Sequence, residues 1–297
     1  MEDFISVVIP TYNRAESLRV VLPSLARQTL SPDRYEILLS DSNSNDATES
    51  VLAELSIPNL RILKRHNEGR SGARNYGIEE ARGDIVLFTD ADIIADERLI
   101  EEHLNFHRQF PGDAVVGCEV QVNTLEEYEE ARAHPEGRRH LHPGSRKTLP
   151  WLYFLTGNAS APKKTLLEAG MFDENFTGYG HEDLELGYRL IKKGLSIHYN
   201  PAAVNYHWHP VGFEERCQKM RLAGRSTVRF YNKHRDPSIK PSLGWNPLSL
   251  FWHSLLPEKG WVLSACLRKA DTSHFCSEIV LQHHYLSGIK EALKDPK

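Results

Sequence analysis

The feature that most constrains this chain is a repeated unit. A short apolar, β-branched run stops at a polar cluster, and a segment with helical spacing follows. Ile5–Pro10 (ISVVIP) is the first such run and reads as a buried strand entering a loop. After it, Leu18, Val21, Leu22 and Leu25 share one helical face. Tyr35–Leu39 (YEILL) is a second strand. It ends at Ser40-Asp41 and a polar loop, Ser42 to Asp46, suited to capping the next helix. Leu60–Leu63 is a short third strand, and Ser71–Ala81 a helix closed by Arg82-Gly83. Ile85–Thr89 (IVLFT) is a fourth strand, ending at Asp90-Ala91-Asp92. Strands alternating with helices make βαβ units. The expected fold class is therefore α/β, with a mostly parallel central sheet flanked by helices.

The pattern weakens between Thr124 and Pro150. Glu126–Arg132 reads as a charged helix, and His134–Lys147, rich in Gly, Pro, His and Arg, as a mobile surface loop. Order resumes at Leu152–Ala161, in a helix over Lys163–Ala169, and in a helix from Glu182 to Lys193 stopped by Gly194. A strand over Ser196–Tyr199 and a long amphipathic helix over Phe213–Lys233 follow. The 297 residues allow two domains of about 150, or one large α/β domain with an extension. The expected division is one α/β domain over 1–212 and a C-terminal helical extension, basic and amphipathic, over 213–297.

Charge narrows the partners. Asp and Glu total 40 against 36 Lys and Arg, a net of −4, so no nucleic-acid partner is expected. The balance is uneven. From Glu215 to Lys297 there are 14 basic and 7 acidic residues, a net of +7, which leaves −11 on residues 1–214. The four cysteines form no CxxC pair and read as reduced thiols, not as a disulfide framework or a zinc site. No run approaches the roughly 18 apolar residues of a spanning helix. The first residues, Met1-Glu2-Asp3-Phe4, do not resemble a secretory leader. The expected location is cytoplasmic.

In open parallel sheets, ligands bind beyond the carboxyl ends of the strands. Four polar clusters occupy such ends: Thr11-Tyr12-Asn13, Asp41, His66–Arg74 and Asp90-Ala91-Asp92. Each also has an ordinary reading, Asp41 as a cap and Asp90 and Asp92 as turn residues. Two carboxylates after a wholly apolar strand, however, suit a hard divalent cation held beside phosphates. The run Asn67 to Arg74 (NEGRSGAR) opens a helix with glycines and arginines, which suits phosphate oxygens. It lacks the GK[ST] ending of a Walker A loop. No GxGxxG follows the first strand, which disfavours a nicotinamide enzyme.

Further on, the run Thr177 to Asp183 (TGYGHED) puts Glu182 and Asp183 at a helix N-terminus. Acids favour the first turn of any helix, but the same place can present a general base to a hydroxyl. His207-Trp208-His209-Pro210 offers two imidazoles at i, i+2, as apt for metal binding as for an incidental role.

Taken together, these stretches resemble the nucleotide-diphospho-sugar glycosyltransferases of family 2, which have the GT-A fold. The matching segments are VVIPTYNR (Val7–Arg14), LLSDSNSNDAT (Leu38–Thr48), NEGRSGARNYGI (Asn67–Ile78), GDIVLFTDAD (Gly83–Asp92), TGNAS (Thr156–Ser160), GMFDENFTGYGHEDLELGYRL (Gly170–Leu190) and YHWH (Tyr206–His209). They occur in the family's order over most of residues 4–210. The resemblance implies an inverting enzyme that moves a sugar from a nucleotide-diphospho-sugar, with UDP as the expected nucleotide, to a hydroxyl of a glycan or lipid-linked acceptor. It implies that Pro10, Thr11, Tyr12 and Arg14 border the nucleotide, that Asp41 hydrogen-bonds the base, and that Asn67, Arg74, Asp90 and Ala91 line the rest of it. Asp92 and His207 would hold Mn²⁺ or Mg²⁺, with His209 as the alternate ligand. Asp183 would be the base, aided by Glu182. Gly157, Asn158, Gly180, His181 and His209 would face the sugar or acceptor. Two positions depart from the family's pattern: Ile93, where many members have a further acid, and Ser40, where the base-binding loop often begins with two.

Arg221, Arg225, Arg229 and Lys233 recur every four residues and make one helical stripe. Trp245, Phe251, Trp252, Leu255, Leu256 and Trp261 follow it. Such a stripe suits an anionic membrane surface on the inner face of the membrane, or an anionic acceptor; its ordinary reading is a helix face packed on the acidic body. Two rival functions are a nucleotidyltransferase and a catalytically silent sugar-nucleotide-binding module. The Glu182-Asp183 pair argues against the first, because it resembles an acceptor-activating motif. The intact acids and histidines argue against the second.

Overall fold

The computed structural model describes residues 4–64, 69–135, 148–176, 178–257, 260–270 and 272–294. The chain divides into two compact units: a body of Met1–Glu174 with Glu182–Pro210, and an extension of Asn175–His181 with Val211–Lys297. The division falls after Pro210, and it gives the short segment before Glu182 to the extension.

The body begins as the spacing predicts: β1 (Ile5–Thr11), α1 (Ala15–Ala26), β2 (Tyr35–Asp41), α2 (Thr48–Glu54), β3 (Leu60–Lys64), α3 (Gly69–Glu80) and β4 (Ile85–Phe88). It continues with β5 (Ile93–Ala95), α4 (Leu99–Gln109), β6 (Ala114–Val122), α5 (Leu125–Ala133), β7 (Ala159–Pro162), α6 (Lys163–Glu168), α7 (Glu182–Lys192) and β8 (Ile197–Trp208). The eight strands form one sheet in the order β3-β2-β1-β4-β7-β6-β8-β5. Four of the seven pairings are parallel. β7 and β5 join antiparallel, so the sheet is mixed; its all-parallel block β3-β2-β1-β4 is made of the strands legible in sequence.

The largely apolar run of β1 has a simple cause. Ile5, Val7 and Ile9 enter one core layer with Leu18, Leu22 and Leu25 of α1. Val8 points the other way, into a layer with Ile78 of α3 and Phe88. Both faces are covered, so even Ser6, the polar residue of the run, is fully buried, its hydroxyl donating to Glu36 Oε1 at 2.8 Å.

Sequence spacing does not reveal α4, β5 or β6, and it gives β8 only its first few residues. α4 buries Leu99, Ile100 and Leu104, but also His103 and His107, so its inner face looks polar in sequence. Those imidazoles are satisfied internally. His103 bonds Ser160 Oγ through Nδ1 and Asn158 Oδ1 through Nε2, both at 2.8 Å, and His107 Nε2 bonds the same Ser160 Oγ at 2.8 Å. Burial pushes His103 down to about 4; burial and the neighbouring His103 push His107 down to about 3. Both are neutral at pH 7. β8 outruns its expected end because its pairing with β6 shifts register at Gly117/Cys118 and then resumes. The His134–Lys147 loop lies almost wholly outside the described residues.

The extension comprises α8 (Phe213–His234), α9 (Ile239–Ser242), α10 (Pro247–Leu255), α11 (Trp261–Leu267) and α12 (His274–Lys294). α8 and α12 pack at close range. A Cβ on Gly224 would lie 2.0 Å from Tyr285 O, and one on Gly288 1.9 Å from Arg221 O, so larger residues there would force the helices apart. This approach corrects part of the basic-stripe reading. Arg221 and Arg225 both turn to Glu291 of α12, with Nε–Oε distances of 2.7 and 3.0 Å. Trp245 is core, edge-on to Tyr231 at 5.5 Å. Among the described residues, no helix is long and apolar enough to cross a membrane.

Candidate active site

The site gathers at the carboxyl ends of β1, β2 and β4. Parallel register sets Thr11 opposite Asp41. Ser44 donates to Asp41 from its backbone N–H (3.2 Å) and its hydroxyl (2.6 Å). Asn13, held at φ 53, accepts from Asn45 N at 2.8 Å and donates its own N–H to Ser44 Oγ at 2.9 Å. The loops after β1 and β2 are thereby tied together. Pro10 belongs to the wall beside them, and Tyr12 is exposed at the rim. Thr11 Oγ1 and Ser40 Oγ are buried there with no hydrogen-bond partner. Buried hydroxyls without partners are uncommon, and a polar ligand would satisfy them.

Next to this wall, Arg74 of α3 is 2% exposed and clasps two acids from distant parts of the chain. Its Nη2 is 2.8 Å from Asp90 Oδ1, and its Nη1 is 3.3 Å from Glu182 Oε1. Its Nε is buried without a partner. The guanidinium lies 5.5 Å from the centre of the Phe172 ring. The next residue, Asn75, holds that loop by accepting from Phe172 N (2.8 Å) and donating to Phe172 O (2.9 Å). Two consecutive residues of one helix thus fix both the acid pair and the loop beside it.

Asp183 follows Glu182 in the first turn of α7 and is partly exposed. Burial, then the charge of Glu182, push its carboxyl up to about 7, against the pull of Arg74. A carboxylate tuned near neutral pH can accept a proton from a hydroxyl.

Asp92 is the third focus. β5 pairs antiparallel with β8, setting Ile93 opposite His207, and Trp208 N donates to Asp92 O at 2.9 Å. Residues at i and i+2 of an extended strand share a face. His207 and His209 accordingly stack, with ring centres 5.5 Å apart. Both reach Asp92: His209 Nδ1 is 3.0 Å from Oδ2, and His207 Nε2 is 3.6 Å from Oδ1. One atom from each of Asp92, His207 and His209 lies within 4.8 Å of the others. One carboxylate and two imidazoles so placed fit a divalent cation. Burial alone would raise Asp92, but the hydrogen bond from His209, the two imidazoles and Arg14 (4.0 Å away) hold it below the usual carboxylate range.

Sequence reading missed two residues here, Glu119 and Gln121. They share a face of β6, and Gln121 donates to Glu119 Oε1 at 2.7 Å. Glu119 Oε1 lies 3.3 Å from His207 Nδ1. Burial would lower His207, but the hydrogen bond and charge of Glu119, with Asp92 and Asp90, raise it. The one sequence signal was their alternation in EVQV, which places two polar side chains on one face of a strand.

Four residues expected near sugar or acceptor have partners within the protein or close neighbours. Asn158 has its amide committed inside the sheet, donating to Ala203 O (3.0 Å) and Cys118 O (3.3 Å) and accepting from His103. It braces the frame. Gly157 lies under Glu119, where a Cβ would come within 2.2 Å of Oε2. Gly180 and His181 belong to the extension. His181, at φ 73, bonds Thr227 Oγ1 at 2.8 Å, and burial pushes its imidazole down to about 4. Ala91 is buried between the two motif acids. Asn67 and Thr177 lie outside the described residues.

A model of glycosyl transferase family 2 matches residues 6–170. Validoxylamine A glucosyltransferase of Streptomyces hygroscopicus subsp. limoneus is 34% identical over 276 residues, covering 81% of this chain and 58% of its own length. The chain spans 58–65% of the length of that protein and two other relatives. Among solved structures, Staphylococcus aureus TarS 1-349 in complex with UDP gives a TM-score of 0.58 at 19% identity, covering 99% of this chain and 92% of that one. The mannosyltransferase PcManGT of Pyrobaculum calidifontis, in complex with GDP-Man and Mn²⁺, gives 0.67 at 16% identity, with coverages of 99% and 88%. By its sequence match and its mixed, helix-flanked sheet, the chain belongs to glycosyl transferase family 2 and has the GT-A fold.

Proposed function

We propose that this chain is an inverting glycosyltransferase that moves a sugar from a nucleoside-diphospho-sugar, with UDP as nucleotide, to a hydroxyl of a glycan or lipid-linked acceptor. The observation that carries this reading is the Arg74 clasp. It joins the strand-end acid Asp90 to Glu182, directly beside Asp183, so the donor-side and acceptor-side acids form one cluster.

The step is a single displacement. The acceptor oxygen attacks the anomeric carbon as its proton passes to Asp183. A C–O bond forms on one face, and the bond to the diphosphate breaks on the other. The nucleoside diphosphate leaves with the electron pair. Arg14, beside Asp92, and Arg74 supply positive charge on the donor side. Asp92, His207 and His209 would hold a divalent cation that, when bound, offsets the charge growing on the diphosphate. Their two imidazoles favour Mn²⁺ over Mg²⁺, which prefers oxygen ligands. Asp41 and the unpartnered Thr11 hydroxyl would meet the base. UDP is the nucleotide in the TarS complex, whereas PcManGT holds GDP-Man. A thermal-shift screen of nucleotide sugars with Mn²⁺ separates the options. The largest stabilisation is expected from a UDP-sugar. A larger shift with a GDP-sugar would overturn the choice of base, and no shift with any donor would overturn the donor reading.

The extension supports a second element of the proposal, contact with an anionic lipid surface. Leu248, Phe251, Trp252 and Leu255 occupy positions i, i+3, i+4 and i+7 of α10, and all four are exposed. The helix contains no Asp, Glu, Lys or Arg, and His253, on its other side, bonds Ser287 of α12 at 3.0 Å. α10 therefore turns its apolar stripe outward. Trp261 (82% exposed) and Phe275 (73%) add aromatic surface on α11 and α12. Glu214 brings the +7 counted from Glu215 to +6 from Val211, so the apolar stripe sits on a positively charged unit. Amphipathic aromatics on a cationic unit suit the headgroup layer of an anionic bilayer. The protein should co-sediment with phosphatidylglycerol vesicles at low salt, and a Phe251→Ser/Trp252→Ser variant should remain in the supernatant. Failure of the wild type to bind, or equal binding by the variant, would remove the lipid partner.

A further inference from the structure

We infer that Glu119 is a positioning residue for the metal site: it holds His207 in the tautomer and orientation that direct Nε2 toward Asp92. The inference rests on the metal reading above and adds to it a residue outside the cluster of Asp92, His207 and His209. The two nitrogens of His207 face two different acids. Nε2 lies 3.6 Å from Asp92 Oδ1, and Nδ1 lies 3.3 Å from Glu119 Oε1. A neutral imidazole carries one proton. Placed on Nδ1, it is donated to Glu119, and the Nε2 lone pair is left for a cation beside Asp92.

Three further features fix Glu119 itself. Gln121, two residues along the same face of β6, donates to Glu119 Oε1 at 2.7 Å. Its Nε2 also lies 3.2 Å from His207 Nδ1; an amide N–H can only donate, so with the proton on Nδ1 that contact is no hydrogen bond, and Glu119 Oε1 is the acceptor both N–H groups share. Parallel register sets Gln121 opposite His207 and Glu119 opposite Asn205. Asn205 in turn donates to Gly157 O at 2.8 Å, which holds the backbone under Glu119. Gly157 is the residue that makes room, because a Cβ there would meet Glu119 Oε2 at 2.2 Å. Strand register, a side-chain bond and the absence of one Cβ all converge on a carboxylate that touches a metal-ligand imidazole from behind.

Partners of this kind typically contribute 10- to 100-fold in metal affinity. Mn²⁺ alone can be titrated by electron paramagnetic resonance into the wild type and into Glu119→Gln, Glu119→Ala and Gly157→Ala. The two Glu119 variants should bind roughly 10- to 100-fold more weakly. Gly157→Ala keeps the carboxylate but displaces it, and should shift affinity the same way. Affinities within twofold of wild type for both Glu119 variants would overturn the inference. Asp92→Ala separates the two levels. If it binds Mn²⁺ like the wild type, the metal reading fails. If it loses Mn²⁺ while the Glu119 variants keep it, only the role of Glu119 fails. Nitrogen-15 NMR of the metal-free protein gives a readout that needs no metal. His207 should carry its proton on Nδ1 in the wild type and lose that preference in Glu119→Ala. A wild-type proton on Nε2 would overturn the assignment.

Discussion

Asp183→Asn should cripple transfer and leave donor binding almost unchanged. Asn is nearly isosteric but cannot take the acceptor proton, so the expected loss in kcat is about 10²- to 10⁴-fold, the range for a positioned base. Donor affinity should change by less than about threefold, because the acids of the donor side, Asp90 and Asp92, are untouched. The wild-type pH profile follows from the same carboxyl. Its proton comes off near pH 7, and only the deprotonated form can accept another. The limiting rate should therefore rise with pH through about 7 and level off above it, and the rise should vanish from the residual rate of the variant. Stability moves in the opposite direction. A carboxyl raised from 3.8 to about 7 favours the folded state at low pH, and that contribution is lost as pH rises through 7. Asn has no charge to bury. The Tm advantage of Asp183→Asn over the wild type should thus grow between pH 5 and pH 8, which also excludes unfolding as the cause of lost activity. A variant with turnover within tenfold of wild type would show that Asp183 is not the base.

Asp92→Ala has the second largest expected effect. Asp92 meets both imidazoles, at 3.0 and 3.6 Å, and lies 4.0 Å from Arg14. Removing it deletes the carboxylate ligand and the partner that draws the two histidines together. Loss of an outer partner costs a metal site 10- to 100-fold, so loss of a direct ligand should cost at least about 100-fold in Mn²⁺-dependent UDP affinity. Calorimetry should give Asp92→Ala the same UDP affinity with Mn²⁺ as with EDTA, whereas the wild type should bind tighter with Mn²⁺. An Mn²⁺-dependent affinity unchanged from wild type would overturn the role of Asp92.

Much of this site is legible in the linear chain, and the reason is local. β1, β2 and β4 announce themselves because both faces of each are covered and nearly every position before the strand's end is apolar, Ser6 and the buried Glu36 being the exceptions. A polar residue at such a strand's end must then lie at the sheet's edge, where ligands bind. Thr11, Asp41, Asp90 and Asp92 are found this way. α4 is not, because its buried face includes His103 and His107, whose partners lie far along the chain, and in β6 the half-buried Glu119 breaks the apolar run. The bracing role of Asn158 is equally hidden from the linear chain, because a motif residue can brace the frame as readily as touch a ligand. Its amide bonds Cys118, Ala203 and His103, 40, 45 and 55 residues away.

The basic stripe shows the same limit from the other side. Its period of four is correct, yet Arg221 and Arg225 face Glu291, 70 and 66 residues on, because two glycines let α8 and α12 meet. The outward apolar stripe of α10 likewise has an ordinary helical period. Only the packing of its other side on α12 decides which face remains uncovered.

The sequence by itself determined the α/β class, the strand ends that carry acids, the acid pair at the start of α7 and the i, i+2 histidine pair. Each depends on the period of one strand or helix, or on one residue at its end. Only the tertiary structure decided that Arg74 joins Asp90 to Glu182, that both histidines meet Asp92, and that Glu119 stands behind His207. Those contacts span 16 to 117 residues of chain. They are set by strand register, helix approach and the room left by single glycines, none of which has a period to read.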